Sequence, residues 1–194
     1  MRLAFIDTET TGLDPKKHEI IEIAVLIEEG GKVIDAFQSK IRPQRIEVAE
    51  PRALELNGYS KNSRAWENAP LMEEVAPILI RMLDGCILVG HNPSFDEAFL
   101  REGIVRAGVS GKIPYHKIDT VTLAYEHLSP LGLKKASLDA IRDFLGWSKK
   151  NAHTAMVDVE DSRKLFRVCW RMGFFRKLKL RFSLASRKRN TFSS

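Results

Sequence analysis

The sequence predicts one mixed α/β domain, in which the sheet opens as a three-stranded antiparallel meander, continues with parallel strands and is flanked by helices. Three observations point there. The chain has 194 residues, 44% of them apolar, which suits one domain with one sizeable core. Its first forty residues hold three strand-like runs, with a Gly-Gly pair between the second and third. From Ala69 onward the apolar residues recur at threes and fours instead, interrupted by one short apolar strand.

Each element has its own justification. Residues 2–8 (RLAFIDT) are apolar on both faces, as a strand at the centre of a sheet must be. Residues 19–28 and 31–40 follow it, with Gly30-Gly31 as the turn. The stretch 43–68 is rich in Pro, Asn, Arg and Glu, and is expected to be loop with a short helix over Pro51 to Leu56. Leu71, Val75, Ile78, Leu79 and Met82 then mark a helix that Asp84-Gly85 closes. Residues 86–90 (CILVG) form a short strand. His91-Asn92-Pro93 opens the next helix, with Asn92 placed to cap its free N–H groups and Pro93 at its first position. Further helices are expected at 119–128, at 137–145 with Ser137 as N-cap, and from near Thr154 to about Met172. Residues 1–172 are therefore read as the domain and 173–194 as a basic tail.

The net charge of +6 is unevenly spread. Residues 162–194 carry 11 Lys/Arg and no Asp/Glu, which leaves the rest of the chain at about −5. An acidic body repels a polyanion unless cations neutralise it locally, whereas a basic tail attracts phosphates; the tail also reads as a solvated chain end. Cys86 and Cys169 are far apart and outside any CxxC spacing, so neither a disulfide framework nor a zinc site is indicated, and a reducing cytoplasm fits. The apolar stretch Leu3 to Ile6 is too short for a signal peptide, and no run reaches the roughly 18 apolar residues of a membrane span.

Three short segments carry chemistry. The first is Asp7-Thr8-Glu9-Thr10-Thr11-Gly12 at the end of the first strand. Side chains alternate along a strand, so Asp7 and Glu9 share a face with their Cα atoms about 6–7 Å apart, and both carboxylates can reach one cation. Two such neighbours repel, and a bound cation is the natural compensation. Thr10, Thr11 and Gly12 form a polar turn, with Gly12 expected to adopt a conformation closed to other residues. The second segment, His91-Asn92-Pro93-Ser94-Phe95-Asp96, puts Asp96 in the first turn of a helix, where the helix dipole alone would favour a carboxylate. Phe95 and Phe99 read as core. The third, His153-Thr154-Ala155-Met156-Val157-Asp158, sets His153 before the last helix and Asp158 within it, and a histidine titrates where it can take a proton from water near neutral pH. Singly, each of these has an ordinary explanation: surface acids before a turn, acids at helix starts, a solvated loop histidine.

Together, DTETTG, HNPSFD and HxAxxD in this order resemble the DEDDh exonucleases of the DnaQ-like family, which includes the epsilon proofreading subunit of bacterial DNA polymerase III. The resemblance covers about residues 1–170, and Ile118 to Ala124 looks like the family's IDT-x-x-LA stretch, with Asp119 read as a helix cap. It implies an RNase H-like fold, two divalent ions, Mg²⁺ or Mn²⁺, and hydrolysis at a 3′ end to release nucleoside 5′-monophosphates. Carried over, Asp7, Glu9 and Asp158 would hold one ion, Asp7 and Asp96 would serve the second, and His153 would take the proton of the attacking water. Thr10, Thr11 and Gly12 would bind the terminal nucleotide, and Leu13 would act as a wedge between the last two bases. One segment departs from the pattern: RALELNG (52–58) resembles EAxxVHG but has Arg52 and Asn57 in place of Glu and His. Asn57 can still bond a sugar hydroxyl. The change leaves the DNA-versus-RNA preference open.

In the tail, Leu178, Leu180 and Phe182 alternate with Lys179 and Arg181, which fits a strand added to a partner's sheet edge or a basic binding arm. Single-stranded or frayed DNA is the expected substrate, and a DNA polymerase is a candidate partner of the tail. The rivals are an exoribonuclease that trims RNA and a non-catalytic subunit that only grips nucleic acid or a polymerase.

Overall fold

A computed structural model describes residues 1–150, 152, 154–170, 173 and 180. Among these residues, five strands, β1 (Arg2–Thr10), β2 (Ile20–Glu29), β3 (Lys32–Lys40), β4 (Ile87–Gly90) and β5 (Lys117–Asp119), make one sheet in the order β3-β2-β1-β4-β5. β1 pairs antiparallel with β2 and parallel with β4, and β5 extends the sheet parallel to β4. The predicted meander and the mixed sheet are both present. β5 was not expected from sequence: three residues with no apolar run carry no strand signal.

β1 is central and flanked on both sides, which is why Leu3 to Ile6 are apolar on both faces and buried. The turn from β2 to β3 needs two residues in the left-handed region, and Gly30 and Gly31 supply them at φ 56° and 88°. β3 is the outer strand of the meander, and its Val33 and Ile34 face solvent.

Among the described residues, seven α-helices lie between and after the strands: α1 (Pro51–Leu56), α2 (Arg64–Glu67), α3 (Met72–Leu83), α4 (Pro93–Arg106), α5 (Thr120–Leu128), α6 (Leu138–Leu145) and α7 (Ala155–Cys169). On one face of the sheet Ala4, Ile6, Ile23 and Val25 pack against Leu79 and Leu83 of α3 and Phe99 and Leu100 of α4. On the other, Leu3, Phe5, Ala24 and Leu26 pack against Val159 and Phe166 of α7. A third cluster joins α5, α6 and α7 through Leu128, Ile141, Leu145 and Leu165. Of the tail, Leu180 packs against this third cluster. Cys86 and Cys169 lie in separate clusters. Among the described residues no helix is long and apolar enough to cross a membrane.

The caps are partly as expected. Ser137 Oγ accepts from the Ala140 N–H at 3.3 Å, and Asp119 Oδ1 accepts from the Val121 N–H at 2.8 Å. Asn92 is a correction: it sits in the left-handed region at φ 71°, ψ 57°, and its side chain makes no cap bond to α4. Its own N–H instead donates to Asp119 Oδ1 at 3.1 Å, so Asp119 serves the start of two helices.

Candidate active site

The C-terminal ends of β1 and β4 are where the predicted acids meet. Asp7 and Glu9 lie on the β1 face that α7 covers, and the first turn of α7 brings Asp158 to them. One carboxylate oxygen from each of Asp7, Glu9 and Asp158 lies within 4.8 Å of the others. Asp96, in the first turn of α4, approaches from the opposite face of the sheet. It is held there by Thr8, whose hydroxyl donates to Asp96 Oδ1 at 2.8 Å. Thr8 and Glu9 point to opposite faces because they are adjacent in a strand.

This crowding shows in the proton affinities. Burial first, then the charges of Asp96, Asp158 and Glu9, push the Asp7 carboxyl well above its ordinary range. Burial and the charge of Asp158 raise Glu9 to about 8, against a smaller pull from Lys40. Asp96 rises to about 7 through burial, although its bonds to Thr8 oppose the rise. Carboxylates in such a setting keep their charge only with a cation among them. Three oxygen donors, buried or half-buried and clustered at this spacing, suit a hard divalent cation.

The rim is built by the turn after β1. The Thr10 hydroxyl donates to Gly12 O at 2.7 Å. Thr11 is fully buried, its N–H donating to Glu19 O and its Oγ1 accepting from the Glu19 N–H, both at 2.9 Å. Gly12 corrects the expectation: it is not in the left-handed region, and its glycine is required by space instead, since a Cβ there would stand 2.5 Å from the His18 ring. That ring is itself fixed, its Nδ1 accepting from the Asp14 N–H at 3.0 Å. Leu13 is 73% exposed at this rim. Asn57 donates from Nδ2 to Thr10 O at 3.0 Å and accepts from the Tyr59 N–H at 3.1 Å, tying the loop after α1 to the end of β1. His153 lies outside the described residues.

Sequence reasoning missed two neighbours of these acids and one support of the rim. The support is His18, whose ring stands against Gly12, and the first neighbour is Thr8. The second is Arg142 of α6, fully buried, whose Nη2 donates to Asp158 Oδ1 at 2.6 Å. Its only sequence signal is an arginine four residues after Leu138 and one after Ile141, on the apolar side of an amphipathic helix. His91, just ahead of α4, pairs its Nδ1 with Thr120 Oγ1 at 3.1 Å, and burial holds its pKa below the usual value. A cavity of about 340 Å³ lies on the α3–α4 side, lined by His18, Arg42, Phe99 and Arg106 among others; none of the four acids lines it.

A mixed five-stranded sheet of this order, with acids converging at the end of its central strand, defines a DnaQ-like exonuclease domain on an RNase H-like fold. The RNase_T exonuclease family model matches residues 4–166, and the chain belongs to that family. It is similar to the PolC-type DNA polymerase III of Thermotoga maritima, 36% identical over 162 residues that make up 83% of this chain and 11% of that protein. It is also similar to the 3′-5′ exonuclease DinG of Bacillus subtilis, 36% identical over 126 residues, 63% of this chain and 13% of that protein. The chain thus matches about a tenth of the length of these relatives. Among solved structures it resembles E. coli exonuclease I in complex with a dT13 oligonucleotide, with a TM-score of 0.73 and 19% identity over 87% of this chain and 41% of that one, a likeness of fold.

Proposed function

We propose that this chain is a metal-dependent 3′-to-5′ exonuclease that shortens single-stranded or frayed DNA and releases nucleoside 5′-monophosphates. The observation that carries the proposal is the meeting of Asp7, Glu9 and Asp158 within 4.8 Å, with Asp96 close enough to raise the proton affinity of Asp7. Residues 1–172 would form the catalytic domain. Names of relatives favour DNA over RNA: both a PolC-type DNA polymerase and a 3′-5′ exonuclease match this chain.

Asp7, Glu9 and Asp158 would hold one divalent ion, and Asp7 with Asp96 a second, Mg²⁺ or Mn²⁺. When bound, such ions supply Lewis-acid stabilisation of the charge that develops on the phosphate and lower the pKa of a nearby water. The chain's own groups do the rest. His153 would accept the proton of the attacking water, since an imidazole titrates near neutral pH. The exposed Leu13 would wedge between the last two bases, and the turn from Thr10 to Gly12, stiffened by Thr11 and His18, would seat the terminal nucleotide. Asn57, already tied to Thr10 O, keeps a second amide proton that a sugar hydroxyl could accept. The basic residues of 173–194 would attract backbone phosphates or a polymerase, and a cytoplasmic setting suits all of these roles.

The test follows 5′-labelled single-stranded DNA and RNA of equal sequence with Mg²⁺, with Mn²⁺ and with EDTA, alongside Asp7→Ala. A ladder that shortens from the 3′ end, needs metal and disappears in the variant is expected, with DNA degraded faster. Faster loss of RNA would turn the assignment to RNA trimming, and no degradation of either would leave a binding subunit.

A further inference from the structure

Arg142 is a full cation with no exposed surface, and it stands beside the site. Its Nε donates to Asp161 Oδ2 at 2.8 Å, its Nη1 to Asp139 Oδ1 at 3.0 Å and its Nη2 to Asp158 Oδ1 at 2.6 Å. Burial pulls a guanidinium toward neutrality, but its hydrogen bond to Asp161 and the charge of Asp158 outweigh it, so the group stays charged at any working pH. Asp161, itself buried, ties α6 to α7 and also accepts from Lys164 at 2.7 Å, and Asp139 and Asp161 together match the charges of Arg142 and Lys164. The third arm of the fork goes beyond that need. It ends on Asp158, the acid that meets Asp7 and Glu9.

We infer that Arg142 is a positioning residue for the metal site: its rigid fork, anchored on Asp161, fixes the rotamer of Asp158 so that a carboxylate oxygen faces Asp7 and Glu9. The inference rests on the reading of Asp158 as a metal ligand. A planar guanidinium holds two acceptors at a set angle, which an ammonium on a flexible stem does not. Two opposing effects can be told apart. As a bare charge, Arg142 repels a divalent ion, and its loss would tighten metal binding. As an orienting partner it prepays the ordering of Asp158, and its loss would weaken binding, typically about 10- to 100-fold for an outer partner of a metal ligand.

Mn²⁺ binding to the full chain, followed by calorimetry and by the loss of the free-ion EPR signal, separates them. Arg142→Lys keeps the charge and loses the fork, and it should raise the Mn²⁺ Kd about tenfold or more. Arg142→Met should weaken binding too, against the expectation from charge alone. The Mn²⁺ concentration for half-maximal cleavage should move in parallel, with the KM for the oligonucleotide unchanged. Wild-type affinity in Arg142→Lys, or tighter binding in Arg142→Met, overturns the inference. If neither variant folds, Asp161→Asn decides, because it keeps an acceptor but loosens the anchor: a Kd raised about threefold supports positioning, and an unchanged one refutes it. Wild-type protein that binds no Mn²⁺ would instead remove the metal-site reading and this inference with it.

Discussion

Glu9 holds its proton up to about pH 8 in the folded chain, whereas its ordinary value is 4.5. Between these values the folded state carries more protons than the unfolded one, so stability falls as pH rises through that window. Metal-free protein should therefore melt at progressively lower temperature from about pH 5 to about pH 8, and Mn²⁺ should restore most at the upper end. Melting scans in EDTA and in Mn²⁺ at several pH values measure both. Glu9→Gln should reduce the slope of the metal-free profile while abolishing cleavage, because the amide keeps the volume and loses the charge. Thr8→Val removes the donor that aims Asp96 and should raise the half-saturating Mn²⁺ concentration roughly tenfold, read from cleavage against a metal titration. Asp7 and Glu9 were legible as a same-face pair because side chains alternate along a strand, whereas Asp96 and Asp158 joined them only through the resemblance of three motifs to a known family. Arg142, Thr8 and His18 were not legible, since their partners are 16, 88 and 4 residues away and the contacts depend on how α6 meets α7, how α4 meets β1 and how one loop folds.

At the scale of elements, Asp119 holds two helix starts with one oxygen, accepting from Asn92 ahead of α4 and from Val121 in α5. Asp119→Ala should cost about 1–2 kcal/mol in chemical denaturation and also lower activity, because the first turn of α4 carries Asp96. Asn92→Gly should be close to neutral in the same measurement: the side chain makes no cap bond and the left-handed backbone suits glycine. The capping expectation for Asn92 failed for that reason; residue type was read correctly and its backbone conformation was not. The meander and α3 were legible because their apolar spacing is long enough to show a period, and α4 and α6 because Pro93 and Ser137 mark their starts; α1, six residues with none buried, shows no such period. β5 and α2 span three and four residues, too few for a period to show, and their existence depends on what β4 and β2 offer to pack against.

Across the whole molecule, charge is divided between an acidic body and a basic C-terminal stretch. Replacing Arg187, Lys188 and Arg189 with Gln should weaken binding of a short single strand and flatten its salt dependence, by up to roughly 0.7 in the log–log slope for each phosphate that is no longer neutralised. Cleavage at saturating substrate should stay near the wild-type rate, as none of the three belongs to the carboxylate site. The site itself joins three layers: Asp7 and Glu9 come from the central strand, Asp158 from the helix on one face and Asp96 from the helix on the other. An ion held there is therefore a rivet through the sandwich. Opening either helical layer alone would release it, so amide hydrogens at the starts of α4 and α7 should exchange together and slow together when the rivet is in place, while those of β1 exchange late with or without it.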